Sequence, residues 1–126
     1  MAQPSMSRLI EITERNFDDT VMGSGSGVVL LEVGAPRCGP CRELLRVLEA
    51  VADGLGPGIR IATTNADVEV ELAVRLRIRS LPTLVVFRDG VEVERTSGYA
   101  GSRAVQAMVA RYERDAAPAF AGGASG

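Results

Sequence analysis

The sequence predicts a single α/β domain in which a mixed central sheet of five strands is flanked by about four helices on its two faces. Apolar runs of strand length alternate with segments of helical periodicity, in the order β-α-β-α-β-α-β-β-α. The first part of that order is built from βαβ units, whose strands run parallel. The last two strands flank Asp89-Gly90, a dipeptide that favours a tight antiparallel hairpin. Crossover helices on such a sheet cover both of its faces.

The first strand and helix are predicted near the amino terminus. Residues 9–13 are rich in β-forming side chains and predict a strand. A short helix over about 14–22 follows, which Thr13 can cap. Phe17 and Val21 form its apolar face.

The central strand and the helix after it are the clearest pair of elements. Residues 28–33 form a run of β-formers long enough for one buried strand, interrupted only by Glu32. The next segment has apolar residues at helical spacing with charged residues mostly on the other side. Those apolar residues are Leu44, Leu45, Leu48, Val51, Ala52 and Leu55.

The rest of the chain completes the sheet. We expect a strand over 59–64, and a helix over 67–78 whose acidic first half and basic end suit the helix dipole. The hairpin strands are predicted at 84–87 and 91–94. Ser102 is expected to cap a final helix. Its apolar face would consist of Val105, Met108, Val109 and Tyr112.

Length and charge limit the classes of function. A chain of 126 residues is enough for one domain, predicted at 8–115, with flexible tails at 1–7 and 116–126. The net charge of −2 favours neither nucleic acid nor a membrane surface as a partner. We find neither a signal-peptide pattern nor an apolar run of membrane-spanning length, so we expect a cytoplasmic location. All 14 basic residues are arginine, which excludes catalysis by histidine or lysine.

Cys38 and Cys41 are the only cysteines, and they lie where the central strand ends and a helix begins. A helix N-terminus stabilises negative charge, so a cysteine there ionises more readily. Gly39 permits a tight approach, and Pro40 suits the first turn of a helix. We expect Cys38 to be exposed and Cys41 to be covered, as in a redox site.

Two structural alternatives exist for the cysteine pair. Half of a zinc site is one, although structural zinc takes four ligands and the chain has no third cysteine and no histidine. A shared site in a dimer, or carboxylate ligands, would be needed to complete it. An inert pair of core cysteines is the other alternative, and the Gly-Pro dipeptide at a strand-to-helix turn argues against it.

Several segments resemble the thioredoxin family. Residues 35–41, Ala-Pro-Arg-Cys-Gly-Pro-Cys, are similar to the thioredoxin active-site segment, and 71–84 is similar to the stretch around its cis-proline. Residues 87–90 and Gly98 also match at the expected separations. The resemblance covers about residues 8–114 and implies the thioredoxin fold.

The resemblance implies a role for each matching residue. Cys38 would be the attacking thiolate and Cys41 the buried resolving thiol. Pro82 would be a cis-proline that presents the backbone of Leu81 to an extended substrate chain. Glu32 stands where the family has a buried aspartate that relays a proton to or from the resolving cysteine, which suits a carboxyl with a raised pKa. The residues implied to contact substrate are Arg37, Gly39, Pro40, Leu81, Pro82 and Gly98.

The resemblance also implies the activity and the partners. The chain would be a protein-disulfide reductase that works by dithiol–disulfide exchange, with no bound cofactor and no metal. Its substrates would be disulfide-containing proteins, and a thioredoxin reductase, by analogy one that uses NADPH, would recycle it. We expect a monomer.

Departures from the family pattern leave alternatives open. The tryptophan before the first cysteine is Arg37, a second tryptophan is Gly34, and the lysine that partners the buried aspartate is Thr63. Arg37 either lowers the pKa of Cys38 and makes the disulfide more oxidising, or it is an idle surface side chain. Glu32 either relays a proton or is a hydrogen-bonded carboxylate without that role. A more oxidising disulfide oxidase or isomerase, or a binding module on the same fold, are therefore the alternative functions.

Overall fold

The computed structural model describes residues 9–23 and 25–116 and contains one five-stranded sheet with helices on both faces. The predicted order of elements is confirmed, with a short π-helix as the first helical element. The elements are β1 (Ile10–Glu11), the π-helix (Asp18–Met22), β2 (Val28–Gly34), α1 (Gly39–Ala52), β3 (Ile59–Asn65), α2 (Val70–Arg75), β4 (Thr83–Arg88), β5 (Val91–Ser97) and α3 (Ser102–Asp115).

The sheet is mixed, as the sequence predicted, with the strand order β1-β3-β2-β4-β5. β3 pairs in parallel with both β1 and β2, whereas β4 is antiparallel to β2 and to β5. The hairpin between β4 and β5 turns at Asp89 (φ 49°) and Gly90 (φ 85°), which are both left-handed as a type I′ turn requires. β2 therefore lies at the centre, paired along its length on both sides.

Two apolar cores lie on opposite faces of this sheet. α1 and α3 cover one face, and the π-helix and α2 cover the other, which confirms helices on both faces. Phe17 and Val21 are buried in the second core, as their spacing predicted. The core under α1 and α3 is formed by Val28, Leu30, Leu44, Leu48, Ile59, Ile61, Leu84, Val86, Val105, Val109 and Tyr112.

α2 is shorter than the helix predicted over 67–78. Before it, the backbone N–H groups of Val68 and Glu69 both donate to the carbonyl of Asn65, which forms a turn instead of helix. After it, Arg77 takes a left-handed conformation (φ 58°). The N–H of Ile78 then donates to the carbonyl of Ala73, which closes a Schellman motif. The charge pattern identified the helix but not these two ends.

Neither predicted helix cap is found. The first helix begins at Asp18 and not near residue 14, and its N-cap is Phe17 without a side-chain hydrogen bond. The Thr13 hydroxyl instead accepts the backbone N–H groups of Arg15 and Asn16 in the turn before that helix. The prediction that Ser102 caps the last helix is wrong, because Ser102 is its first residue and Gly101 (φ 103°) precedes it without a side-chain cap.

Ala116, the first residue of the predicted C-terminal tail, is the C-cap of α3. The rest of the predicted tails, 1–7 and 117–126, lies outside the described residues. Within the described residues, no helix is long and apolar enough to cross a membrane.

Candidate active site

The two cysteines form a disulfide at the junction of β2 and α1, with their Cα atoms 5.2 Å apart. Cys38 is the residue that caps α1 and is partly exposed, whereas Cys41 lies in the first turn and is 1% exposed. The Cys38 Sγ accepts a hydrogen bond from the backbone N–H of Cys41 (3.2 Å). The same N–H, together with the helix dipole, can stabilise a thiolate on Cys38 once the disulfide is reduced.

Glu32 is the buried acidic residue of the strand that leads to this disulfide, and it is 1% exposed. Thr63 is its direct neighbour on β3, and the Thr63 hydroxyl donates to Glu32 Oε1 (2.6 Å). Within the described part of the chain, Oε2 has no hydrogen-bond partner. Burial raises the pKa of Glu32 to about 7, and the hydrogen bond from Thr63 only partly opposes that rise. The carboxyl can therefore exchange a proton near neutral pH.

Gly34 lies between Glu32 and the disulfide. A Cβ built on Gly34 would stand 3.0 Å from both Cβ and Sγ of Cys41, and it would collide with Glu32 Oε2. The Glu32 carboxyl and the Cys41 sulfur thus border the same methyl-sized space. The Glu32 carboxyl therefore lies close to the buried cysteine, on the side of the disulfide that faces Gly34.

Pro82 follows a cis peptide bond from Leu81, as the resemblance implied. Val33 pairs with Thr83, so Pro82 lies at the end of the sheet from which β2 leads to Cys38. The backbone N–H of Gly98 donates to the Pro82 carbonyl (2.7 Å), which ties β5 to the start of β4. Among residues 9–23 and 25–116, no backbone hydrogen bond of this loop uses the N–H or the carbonyl of Leu81.

Arg37 points away from the protein, with 89% of its side chain exposed, and its guanidinium lies 3.6 Å from the Asp67 carboxylate. Asp67 was not among the site residues predicted from the sequence. The sequence could have indicated this proximity, because β2 and β3 are parallel and their carboxyl ends meet at one edge of the sheet. Residues just beyond those ends, such as Arg37 and Asp67, are then close to each other. Gly39 and Pro40 occupy the first turn of α1 beside the cysteines.

The disulfide argues against the two structural alternatives for the cysteines. Within the part of the chain that the structure describes, no three residues of the metal-ligating types form a group that could hold a metal ion. The sulfurs are bonded to each other at a helix N-terminus, and Cys38 is partly exposed. Such an arrangement is typical of a redox pair.

Comparison with known proteins identifies the family. The thioredoxin family model matches residues 8–111. The chain belongs to the thioredoxin family. It is 34% identical to a thioredoxin of Chlamydia trachomatis over 102 residues, which are 81% of this chain and 96% of that protein. It is 32% identical to a thioredoxin of Bacillus subtilis over 104 residues, covering 82% and 97% of the two chains.

The fold agrees with this assignment. The solved structure of a mutant thioredoxin from Halobacterium salinarum superposes with a TM-score of 0.72 at 29% identity, covering 90% of this chain and 96% of that one. With a redox pair at the family's active-site position, the protein is a thiol–disulfide oxidoreductase that acts on protein disulfides.

The raised pKa of Glu32 predicts a pH-dependent stability for the oxidised protein. The folded protein keeps this proton up to about pH 7, whereas the unfolded chain loses it near 4.5, so rising pH favours unfolding. We expect the free energy of unfolding to fall by about 3 kcal/mol between pH 4.5 and pH 7 on account of this group. Urea unfolding of the Glu32→Gln variant should lack that decrease. Glu71→Gln, which changes an exposed carboxylate, is the control. An equal pH dependence in wild type and Glu32→Gln would contradict the prediction.

Arg37 predicts a second measurable effect. If its positive charge stabilises the Cys38 thiolate, Arg37→Trp raises the pKa of Cys38 in the reduced protein. Asp67→Asn removes the carboxylate that partly neutralises the positive charge of Arg37, and we expect it to lower the pKa of Cys38. Thiolate absorbance in the ultraviolet, followed against pH, measures both. An unchanged Cys38 pKa in Arg37→Trp would mean that Arg37 is an idle surface residue.

Proposed function

We propose that this protein reduces disulfides of cytoplasmic proteins, with Cys38 as the attacking thiolate, Cys41 as the resolving thiol and Glu32 as the group that accepts the Cys41 proton. One observation carries the proposal. A carboxyl with a pKa of about 7 is buried next to the buried cysteine of a redox pair whose other cysteine is partly exposed. Groups with perturbed pKa values in such positions are typical of catalytic sites.

The first step is attack by Cys38. Its thiolate forms a bond to one sulfur of the substrate disulfide, and the other substrate sulfur leaves as a thiolate. Support for this assignment comes from the accessibility of Cys38 and from its place at the N-terminus of α1, where free N–H groups favour the anion. The product is a mixed disulfide between Cys38 and the substrate.

The second step is resolution by Cys41. This thiol is buried, and burial without a partner disfavours its thiolate, so it needs a base. Glu32 in its carboxylate form takes the proton, and the Cys41 thiolate bonds to Cys38 Sγ. The bond between Cys38 and the substrate breaks, and the substrate's second thiolate leaves. The protein has then lost two electrons to the substrate disulfide, and Glu32 holds the proton.

Substrate contacts are proposed along the rim of the disulfide. An extended substrate segment would pair with the backbone of Leu81, whose N–H and carbonyl take no part in the loop's own backbone hydrogen bonds among the described residues. Pro82 follows Leu81, and the backbone N–H of Gly98 donates to the Pro82 carbonyl, which ties this loop to the end of β5. Arg37, Gly39 and Pro40 would form the other side of the contact.

The family supplies the proposed partners. A thioredoxin reductase using NADPH would return electrons to the Cys38–Cys41 disulfide, so that no cofactor is bound by this chain. The protein would act as a monomer in the cytoplasm, where dithiols are kept reduced.

Stopped-flow reaction of the reduced protein with dithiobis(nitrobenzoate) tests the three roles, because each step releases one coloured thiolate. We expect Cys38→Ser to abolish both fast releases and Cys41→Ser to stop after the first. Glu32→Gln should leave the first release unchanged and slow the second by on the order of a hundredfold near pH 7. Glu71→Gln is the matched control for the exchange of a carboxylate for an amide.

The outcome for Glu32→Gln decides its role. A second release at the wild-type rate and with the wild-type pH profile would reduce Glu32 to a buried carboxyl without a part in proton transfer. Loss of the first release in Cys41→Ser alone would reverse the assignment of the two cysteines.

The reduction potential tests the direction of the proposed activity. Because Arg37 is exposed and paired with Asp67, we expect it to raise the potential only modestly above the ~−270 mV of a typical thioredoxin. Equilibration with a glutathione buffer, followed by quantification of the Cys38–Cys41 disulfide, measures the potential. A value of about −180 to −120 mV would instead favour an oxidase or isomerase.

A further inference from the structure

Gly34 has no conformational reason to be glycine. It is the last residue of β2 and pairs with Asn65 on β3, and its backbone does not take the left-handed conformation that favours glycine. A side chain at this position would fit the backbone. The reason for glycine must therefore be what a side chain would meet.

A Cβ on Gly34 would meet the two groups of the proton-transfer step. It would collide with Glu32 Oε2 and stand 3.0 Å from the Cys41 sulfur. Glu32 and Gly34 are two residues apart on one strand, so their side-chain positions share a face of the sheet. On that face, Oε2 of Glu32 occupies the volume that a methyl group on Gly34 would need.

The two oxygens of Glu32 have different surroundings. Oε1 is held by the Thr63 hydroxyl at 2.6 Å. Oε2 is buried without a hydrogen-bond partner among the described residues and borders the space next to Cys41. An unpaired buried oxygen is costly, and such groups are kept where chemistry uses them. The hydrogen bond from Thr63 thus fixes the carboxyl while the other oxygen stays available.

We propose that Gly34 is a positioning residue for the resolving step: its missing Cβ provides the space in which the long Glu32 side chain brings Oε2 to Cys41. The inference rests on the proposed proton-accepting role of Glu32. It explains why a glutamate, one methylene longer than aspartate, fits beneath the disulfide. Glutamate at position 32 and glycine at position 34 are then both needed to place the carboxyl near Cys41.

A pocket beside this pair gives the proton a route onward. It has a volume of about 280 Å³, and Glu32, Gly34, Leu45 and Thr63 are among its lining residues. Its other charged lining groups are Glu11 and Arg42, and the Arg42 guanidinium donates to the Pro36 carbonyl at 2.7 Å. Water entering this pocket can accept the proton from Glu32, so the carboxyl is ready for the next cycle.

A double-mutant cycle tests the pairing, with the variants Gly34→Ala, Glu32→Asp and the combination of both. Gly54→Ala is the matched control, because a Cβ there meets nothing within 4 Å and the backbone is not left-handed. Two readouts are used. Carbon-13 NMR follows the titration of the carboxyl group at position 32 in the oxidised protein, and stopped-flow follows the two thiolate releases from dithiobis(nitrobenzoate).

We expect Gly34→Ala to displace the carboxyl, so that its titration midpoint moves and the second release slows by about tenfold or more while the first is unchanged. Glu32→Asp shortens the side chain and leaves room for the new methyl group. In the Glu32→Asp background, adding Gly34→Ala should leave the rate of the second release unchanged or increase it. Gly54→Ala should behave as wild type in both readouts.

Other results would overturn the inference. If Gly34→Ala has the wild-type titration midpoint and the wild-type rate of second release, the space is not needed. The same conclusion follows if Gly34→Ala slows the second release equally in the wild-type protein and in Glu32→Asp. If Gly34→Ala alone does not fold, the combined variant is compared with Glu32→Asp. If the combined variant also fails to fold, the proposed pairing of Glu32 with Gly34 is contradicted.

The proposed role of Glu32 is judged separately. If Glu32→Gln leaves the second release unchanged, proton transfer by Glu32 is wrong. The NMR titration in the four backgrounds then still decides whether Gly34 positions the carboxyl.

Discussion

β2 is hydrogen-bonded to β3 along one side and to β4 along the other, and α1 covers the face that carries Glu32. The neighbouring strands and α1 leave Glu32 only 1% exposed, and the carboxyl lines the pocket beside the disulfide. Among the described residues, its hydrogen-bond partner is the Thr63 hydroxyl, and no cation contributes to its pKa. Desolvation then governs its titration. The same strand ends at Gly34 and delivers the chain to Cys38, so the acid–base group and the redox pair are separated by only a few residues of rigid backbone.

The burial of Glu32 affects both the pH dependence of folding stability and the proposed proton transfer at the disulfide. A buried carboxyl without a cationic partner is tolerated in its neutral form, and its ionisation is opposed by the fold. A group of this kind gives up and takes back a proton near neutral pH, which a well-solvated carboxylate does not do. Thr63, at the position where the resemblance implies a lysine, donates a hydrogen bond that orients the carboxyl without adding a positive charge.

Much of the fold could be predicted from local patterns, because each depends on residues close in sequence. Asp89-Gly90 determines its turn, and the strand at 28–33 and its helix follow from side-chain spacing. The end of α2 could not be predicted, because the left-handed residue there is Arg77 and not the usual glycine. Arg37 and Glu32 were recognised as site residues, and the parallel pairing of β2 and β3 could have indicated the proximity of Arg37 to Asp67. The position of Glu32 Oε2 against Gly34 depends on the side-chain conformation of Glu32 under α1, which no pattern in a single sequence reports.

The shared space of Glu32 and Gly34 also constrains how such a sequence can diverge. If an ancestor had the aspartate and tryptophan that the resemblance implies at these positions, a change to glutamate first would place the longer side chain against an existing Cβ. Loss of the side chain at position 34 first would leave only an unfilled volume, which a later glutamate could occupy. The second order avoids an intermediate with a displaced carboxyl, so the two positions are expected to covary among related chains.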